Sequence, residues 1–186
     1  MMRPSIVAAA VLAATPAMAA APSWTVDKAA SSVRFASSLN GQDFSGVFRR
    51  WDATIRFDPK ALAGSSVTAV IETASAATGD SDRDQALPTD AFLNATKFPR
   101  ATFTASTFRD LGGGRYQAVG RLTLRGVTKP LTLPFTLAIT GPTAHMKASL
   151  ALNRLAFGVG QNEWKDVAAI PAAVTVTIDL TARRAP

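Results

Sequence analysis

The chain has 186 residues, no cysteine, one histidine and a formal charge of +7. That length makes one domain, and without cysteine there is no disulfide framework, thiol catalysis or thiolate metal site. The charge does not make a nucleic-acid binder, because Arg49-Arg50, Arg56, Arg121, Arg125, Lys129 and Arg183-Arg184 are scattered rather than gathered in a basic stripe.

The first nineteen residues read as a secretory signal peptide. Arg3 supplies the positive start, Ile6 to Ala14 the apolar stretch, and Ala17-Met18-Ala19 a small-x-small cleavage site. The apolar run is well short of the ~20 residues that a bilayer span needs. The division is therefore residues 1–19 as leader and 20–186 as one exported domain, placed in the periplasm, with a charge of +6 once Arg3 is removed. A basic surface of this kind also suits transient contact with a membrane surface.

Strand signals then follow one another. Trp24–Asp27 opens the domain, and Val33–Leu39 alternates and ends at Asn40-Gly41, a strong hairpin signal. Phe44–Asp58 carries Phe44, Phe48, Trp51, Ile55 and Phe57, and the change of parity between Phe48 and Trp51 predicts a bulge or bend. Val67, Ala69 and Ile71 form the next strand, and Ala101, Phe103 and Ala105 share a face of the one after. Gly112-Gly113-Gly114 turns the chain into Tyr116–Leu124.

The clearest pattern is Leu131, Leu133, Phe135, Leu137 and Ile139, apolar at every second residue, which is one face of a strand. Pro134, lacking an N–H, predicts an edge or bulge within it. Met146, Ala148, Leu150 and Leu152, then Val174, Val176, Ile178 and Leu180, complete about eight strands joined by hairpin turns, the pattern of an antiparallel sandwich or barrel.

One segment breaks the rhythm. In Ser81–Pro99, Ser81 is placed to cap a short helix with Asp82 and Asp84 at its positive end, Pro88 stops it, and Thr89 starts a second turn. Such an insertion, between the fourth and fifth strands, covers one end of a barrel. Its apolar side is Ala86, Leu87, Phe92 and Leu93.

No constellation of catalytic or metal-binding residues emerges. His145 stands alone, and no GxSxG elbow accompanies it. Asp80, Asp82 and Asp84 imitate the start of a calcium loop, but Gln85 stands where glycine is needed and Ala91 where the bidentate Glu belongs. Glu163 and Asp166 flank Trp164 as exposed charges rather than as a glycosidase pair. Ten Phe and three Trp against one Tyr make the inner face strongly apolar, while Ala69, Ala101, Ala105, Ala118, Gly120 and Ala148 leave room on it.

Six segments in order resemble the YceI-like family of exported lipid-binding proteins. They are Trp24–Asp27, Ser31–Phe35, Gly46–Pro59, Asp82–Phe103, Gly120–Pro130 and Asn153–Gly160. The resemblance implies an all-β fold, an extended lipocalin-like antiparallel eight-stranded β-barrel with a short helical cap. It also implies an elongated apolar cavity for a polyisoprenoid or prenyl-quinone-like amphiphile, and no catalytic mechanism or cofactor beyond that lipid. The family usually carries a bulkier, often basic residue near Ala86, so this chain departs from the pattern there.

The ligand-lining candidates are Phe35, Phe48, Ile71, Phe103, Leu122, Phe135 and Leu150, with Leu87 and Phe92 closing the helical end. Arg83 is the candidate polar contact at the mouth, with a salt bridge to a neighbouring Asp as its competing role. The alternatives are an exported enzyme acting on a lipid-like substrate in the same cavity and an outer-membrane barrel. The second predicts aromatic girdles and an outward apolar band, whereas the outer strand faces here are rich in Thr and Arg.

Overall fold

The computed structural model describes residues 21–186, and the leader read at residues 1–19 lies outside the described residues. Ten strands follow in order: β1 (Ser23–Leu39), β2 (Gln42–Phe48), β3 (Trp51–Arg56), β4 (Ser66–Glu72), β5 (Ala76–Ala77), β6 (Arg100–Gly112), β7 (Arg115–Leu124), β8 (Val127–Thr140), β9 (Thr143–Asn153) and β10 (Ala173–Arg184). One short helix, α1 (Ser81–Ala86), lies between β5 and β6. The strands form one antiparallel sheet that closes where β10 pairs with β1. Closure joins the first and last strands, so neither end of the sheet is left open.

The wall counts as eight strands because β2 with β3, and β4 with β5, are each one strand with a break. The breaks lie side by side: the Arg49 N–H donates to the Ser75 carbonyl (3.1 Å) and the Arg50 N–H to Ser75 Oγ (3.0 Å). This is the bend that the parity change at Phe48–Trp51 predicts. Trp24–Asp27 and Val33–Leu39 prove to be two halves of β1, joined by a bulge between Asp27 and Ser32. The helical segment therefore follows the third wall strand, where the sequence count, taking those halves as two, placed it after the fourth.

Turn chemistry matches the sequence. Asn40-Gly41 (φ 50° and 80°) and Arg125-Gly126 (φ 50° and 74°) both place two consecutive residues in the left-handed region, as two-residue hairpins in a twisted sheet require. Pro134 marks a parting of strands: β8 pairs with β7 from Val127 to Thr136, but with β9 only from Phe135 to Thr140. Above Pro134 the β9 side of β8 has no partner strand.

Gly120 sits opposite Ala105, where β6 shifts register. A Cβ there would run into the Thr104 carbonyl and lie 2.8 Å from Ala105 Cβ. Because the obstacle is backbone, Gly120→Ala is expected to cost about 1–3 kcal/mol, read as a lower urea midpoint. An unchanged midpoint would mean that the bulge relaxes freely.

Candidate functional site

The alternation of each strand decides what faces inward. All five apolar residues of the β8 pattern, Leu131, Leu133, Phe135, Leu137 and Ile139, line one internal cavity of about 200 Å³. Inward residues of the other wall strands join them, among them Trp51, Val67, Met146 and Ile178, and every residue lining the cavity is apolar. Many of these inward side chains are only half-buried because a void, and not a neighbour, lies before them. Small barrels normally fill their interiors with side chains; this one does not. An apolar cavity of about 150 Å³ already stays dry and admits a small aromatic molecule. Along β10 the lining runs from Val176 to Ala182, about 20 Å at ~3.3 Å per residue. Long, narrow and apolar, the space suits a chain.

The two ends are built differently. At the base, Phe57 meets Phe108, Tyr116 and Phe135 with ring centroids 5.3, 5.5 and 6.1 Å apart. Trp24 closes the same end, its indole N–H donating to the Phe57 carbonyl at 2.9 Å. The phenol of Tyr116 is pushed upward in pKa, by burial first and by Asp110 second, so this polar tip stays neutral.

At the other end lie the helical segment and the loop 154–172. Arg154 holds that loop: its guanidinium is buried and donates to the carbonyls of Pro171 (3.0 Å), Val159 (3.0 Å) and Ile170 (2.7 Å). The Gly160 and Gln161 N–H groups both donate to the Ala91 carbonyl, which ties loop to helical segment. Phe92 packs on Trp164 across the same junction at 5.5 Å.

Two carboxylates of the helical segment, Asp80 and Asp84, are structural. Asp80, one residue ahead of the expected Ser81, caps α1 by accepting from the Arg83 N–H at 3.0 Å. Asp84 accepts from the Thr78 N–H (2.6 Å), Thr78 Oγ1 (2.7 Å) and the Gly79 N–H (3.3 Å). The Thr78 bonds, first among the causes, hold its carboxyl below the usual value, with a smaller pull from Arg49. A depressed carboxylate stabilises the fold above its unfolded pKa and loses that contribution as pH falls through the lower folded value. Asp84→Asn is therefore expected to flatten the loss of stability below about pH 4, followed by the denaturant midpoint against pH. An unchanged acid limb would contradict this.

Of the sequence candidates, Ile71, Phe103, Leu122, Phe135 and Leu150 lie on the cavity wall. The other five do not. Phe35 faces inward, but its ring covers Gly46 and packs on Phe48 at 5.3 Å, outside the cavity lining. Phe48 edges an outer groove, because β2 ends there and the wall bends. Arg83 pairs with Asp80 (3.2 Å) and lies 5.1 Å from the Phe44 ring. Leu87 ends α1 half-buried, and Phe92 is held by Trp164. Among the residues that sequence reasoning passed over, Trp24, Trp51, Ala53, Phe108 and Leu152 also line the cavity. Strict parity along each strand was the signal for Ala53 and Leu152. His145 is exposed, with Nδ1 3.1 Å from Thr181 Oγ1.

Known proteins share this architecture. A UPF0312 protein of Vibrio vulnificus is 35% identical over 137 residues, covering 71% of this chain and 72% of the relative. The crystal structure of BcnA of Burkholderia cenocepacia superposes with a TM-score of 0.81 at 32% identity, covering 84% of this chain and 98% of that one. A domain of Saccharophagus degradans described as polyisoprenoid binding shares the fold, with a TM-score of 0.68 at 17% identity over 87% and 98% of the two chains. The model of the YceI-like domain matches residues 24–182, from the buried Trp24 at the base to Ala182 at the end of the cavity wall, and the chain belongs to the YceI-like family.

Proposed function

We propose that the protein is an exported carrier that holds the chain of a polyisoprenoid or prenyl-quinone-like amphiphile inside its barrel. The observation that carries this reading is the long cavity whose lining is wholly apolar. A prenyl chain has no hydrogen-bonding groups, so a dry wall without polar side chains is what it needs. Each buried CH₂ contributes about 0.8 kcal/mol, and a few isoprene units outweigh the cost of ordering the chain. The Saccharophagus degradans domain, described as polyisoprenoid binding, supports the same reading through its shared fold. An enzyme acting on the bound lipid would need polar groups facing the substrate, and none line this cavity. On this reading the protein binds the lipid without transforming it.

The test is lipid extraction followed by mass spectrometry on protein purified from an exporting host, then reloading of the stripped barrel with a prenyl quinone. Trp24 and Trp51 line the cavity, so loading is expected to quench their fluorescence. Release of no chain lipid together with no quenching would overturn the reading. The exported location has its own check. The secreted protein is expected to begin at Ala20 on N-terminal sequencing, and a chain retaining Met1 would contradict it.

A further inference from the structure

The barrel wall is broken in two places. One is the parting of β8 from β9 above Pro134. The loop 154–161 runs from the end of β9 towards the β7–β8 turn, where the Arg125 guanidinium lies against Gly158 and donates to the Asp90 carbonyl. The loop thus bridges that break at the β7–β8 turn.

The other is a seam between β1 and β3. They pair only at Ser23–Arg56 and Trp24–Ile55, and β1 next pairs on that side at Val33–Phe48. Between these points the β1 bulge satisfies itself: the Ala29 and Ala30 N–H groups donate to Asp27 Oδ1, and Ser31 Oγ donates to the Asp27 carbonyl. No ladder crosses the gap. What crosses it is Lys28, whose Nζ donates to the Trp51 carbonyl (2.6 Å) and to Asp52 Oδ1 (2.8 Å) and sits 4.0 Å above the Trp51 ring. The pair is exposed, at 46% and 79%, and an exposed ion pair is a weak lock.

Trp51 lines both the inner cavity and a groove on the outer surface, so its indole stands between the two. The groove also carries Arg49, Arg50, Arg100 and Glu72. Lys28 is matched by Asp52 and Arg50 by Glu72. Arg49 and Arg100 form no salt bridge among the described residues, although Asp84 feels Arg49 and Glu72 lies opposite Arg100, and the groove lining carries four cations against two carboxylates.

We propose that the β1–β3 seam is a lateral portal through which a chain lipid enters the barrel, and that the groove outside it holds an anionic head group on Arg49 and Arg100. This rests on the lipid-carrier reading of the cavity and adds the route and the head-group class. The aromatic base and the Arg154-held loop make both ends costlier to open than a gap bridged by one lysine. A guanidinium pair on a phosphate gives charge-assisted hydrogen bonds.

The chain has no native cysteine, so a single introduced one takes a bulky maleimide cleanly after folding. Label on Ser32→Cys, in the groove, is expected to slow loading of a prenyl quinone by about tenfold or more, through steric blockage of a required passage. The same label on Glu163→Cys, over the capped end, is expected to leave loading unchanged. The reverse pattern, or no effect from either label, would overturn the portal. For the head group, the double substitution Arg49→Ser with Arg100→Ser is expected to weaken a prenyl monophosphate about tenfold and to leave a quinone of equal chain length unaffected. Equal affinities for the two lipids before and after substitution would remove the head-group site. If the unmodified protein loads neither lipid, the cavity reading itself fails and the portal falls with it. Loading of the quinone by unmodified protein keeps the two failures apart.

Discussion

Ala69→Trp is expected to abolish tight lipid loading while the barrel still folds. Ala69 lies on the inner face of β4, opposite Ala53 on β3 and Phe103 on β6, and all three line the cavity. An indole projected from that position fills the middle of the slot. Displacing three or four CH₂ groups of a bound chain, at ~0.8 kcal/mol each, weakens binding on the order of 100-fold. The substitution enters a void and not a packed core, so the usual overpacking cost of about 1–3 kcal/mol is an upper limit. Quinone titration gives the affinity and a thermal melt gives the fold. Undiminished affinity with an intact fold would mean that the ligand lies elsewhere. Phe135→Glu is the less clean probe, because Phe135 also stacks on Tyr116 at 5.5 Å and helps to plug the base.

Arg154→Ala carries the largest expected loss of stability. The residue is 4% exposed, and its guanidinium has three carbonyl partners and no carboxylate among the described residues. Burial lowers its pKa from the ordinary value, and the three carbonyls replace the water that burial takes from the guanidinium. Removing it leaves three acceptors without donors in a closed loop. At about 1–3 kcal/mol for each unmet group, and with partial relaxation, the loss is on the order of 3–5 kcal/mol. Arg154→Lys is not expected to rescue it, since a point ammonium cannot reproduce a planar fork aimed in three directions. Denaturant midpoints measure the cost, and protease cleavage between Gln161 and Ala169 reports the freed loop. A shift below 1 kcal/mol in either variant would show that the loop is held by other contacts.

Most of the wall was legible because one rule governs it. Alternating parity on β8 placed Leu131 to Ile139 on the cavity, and the parity change at Phe48–Trp51 placed the break between β2 and β3. Apolar residues at period two face one way whatever lies beyond them. Parity cannot say how far along a strand the open space extends. Phe35 has the right parity, yet its ring covers Gly46 instead of facing the void, and Phe48 stands where the wall bends away. The cap was harder still. Leu87 and Phe92 belong to a segment with no period, whose contacts are set by distant partners such as Trp164 and the Ala91 carbonyl. Arg154 looked like one fragment of a motif, since its three acceptors lie 5 to 17 residues away along an irregular loop. The seam between β1 and β3 was invisible for the same reason: a missing ladder leaves no mark on composition.

The unpaired side of β8 above Pro134 carries a further consequence, for behaviour at high concentration. Eight residues of strand, Val127 to Pro134, run without a neighbour towards β9, and a free edge of that length templates pairing between molecules. This stretch contains Lys129, Pro130 and Pro134, a charge and two residues with no N–H to donate. Those are the substitutions that keep a bare edge from recruiting a second chain. The gap in the wall therefore coexists with a surface that resists stacking into fibrils, and the residues that deny β8 a partner in its own barrel also deny it one outside.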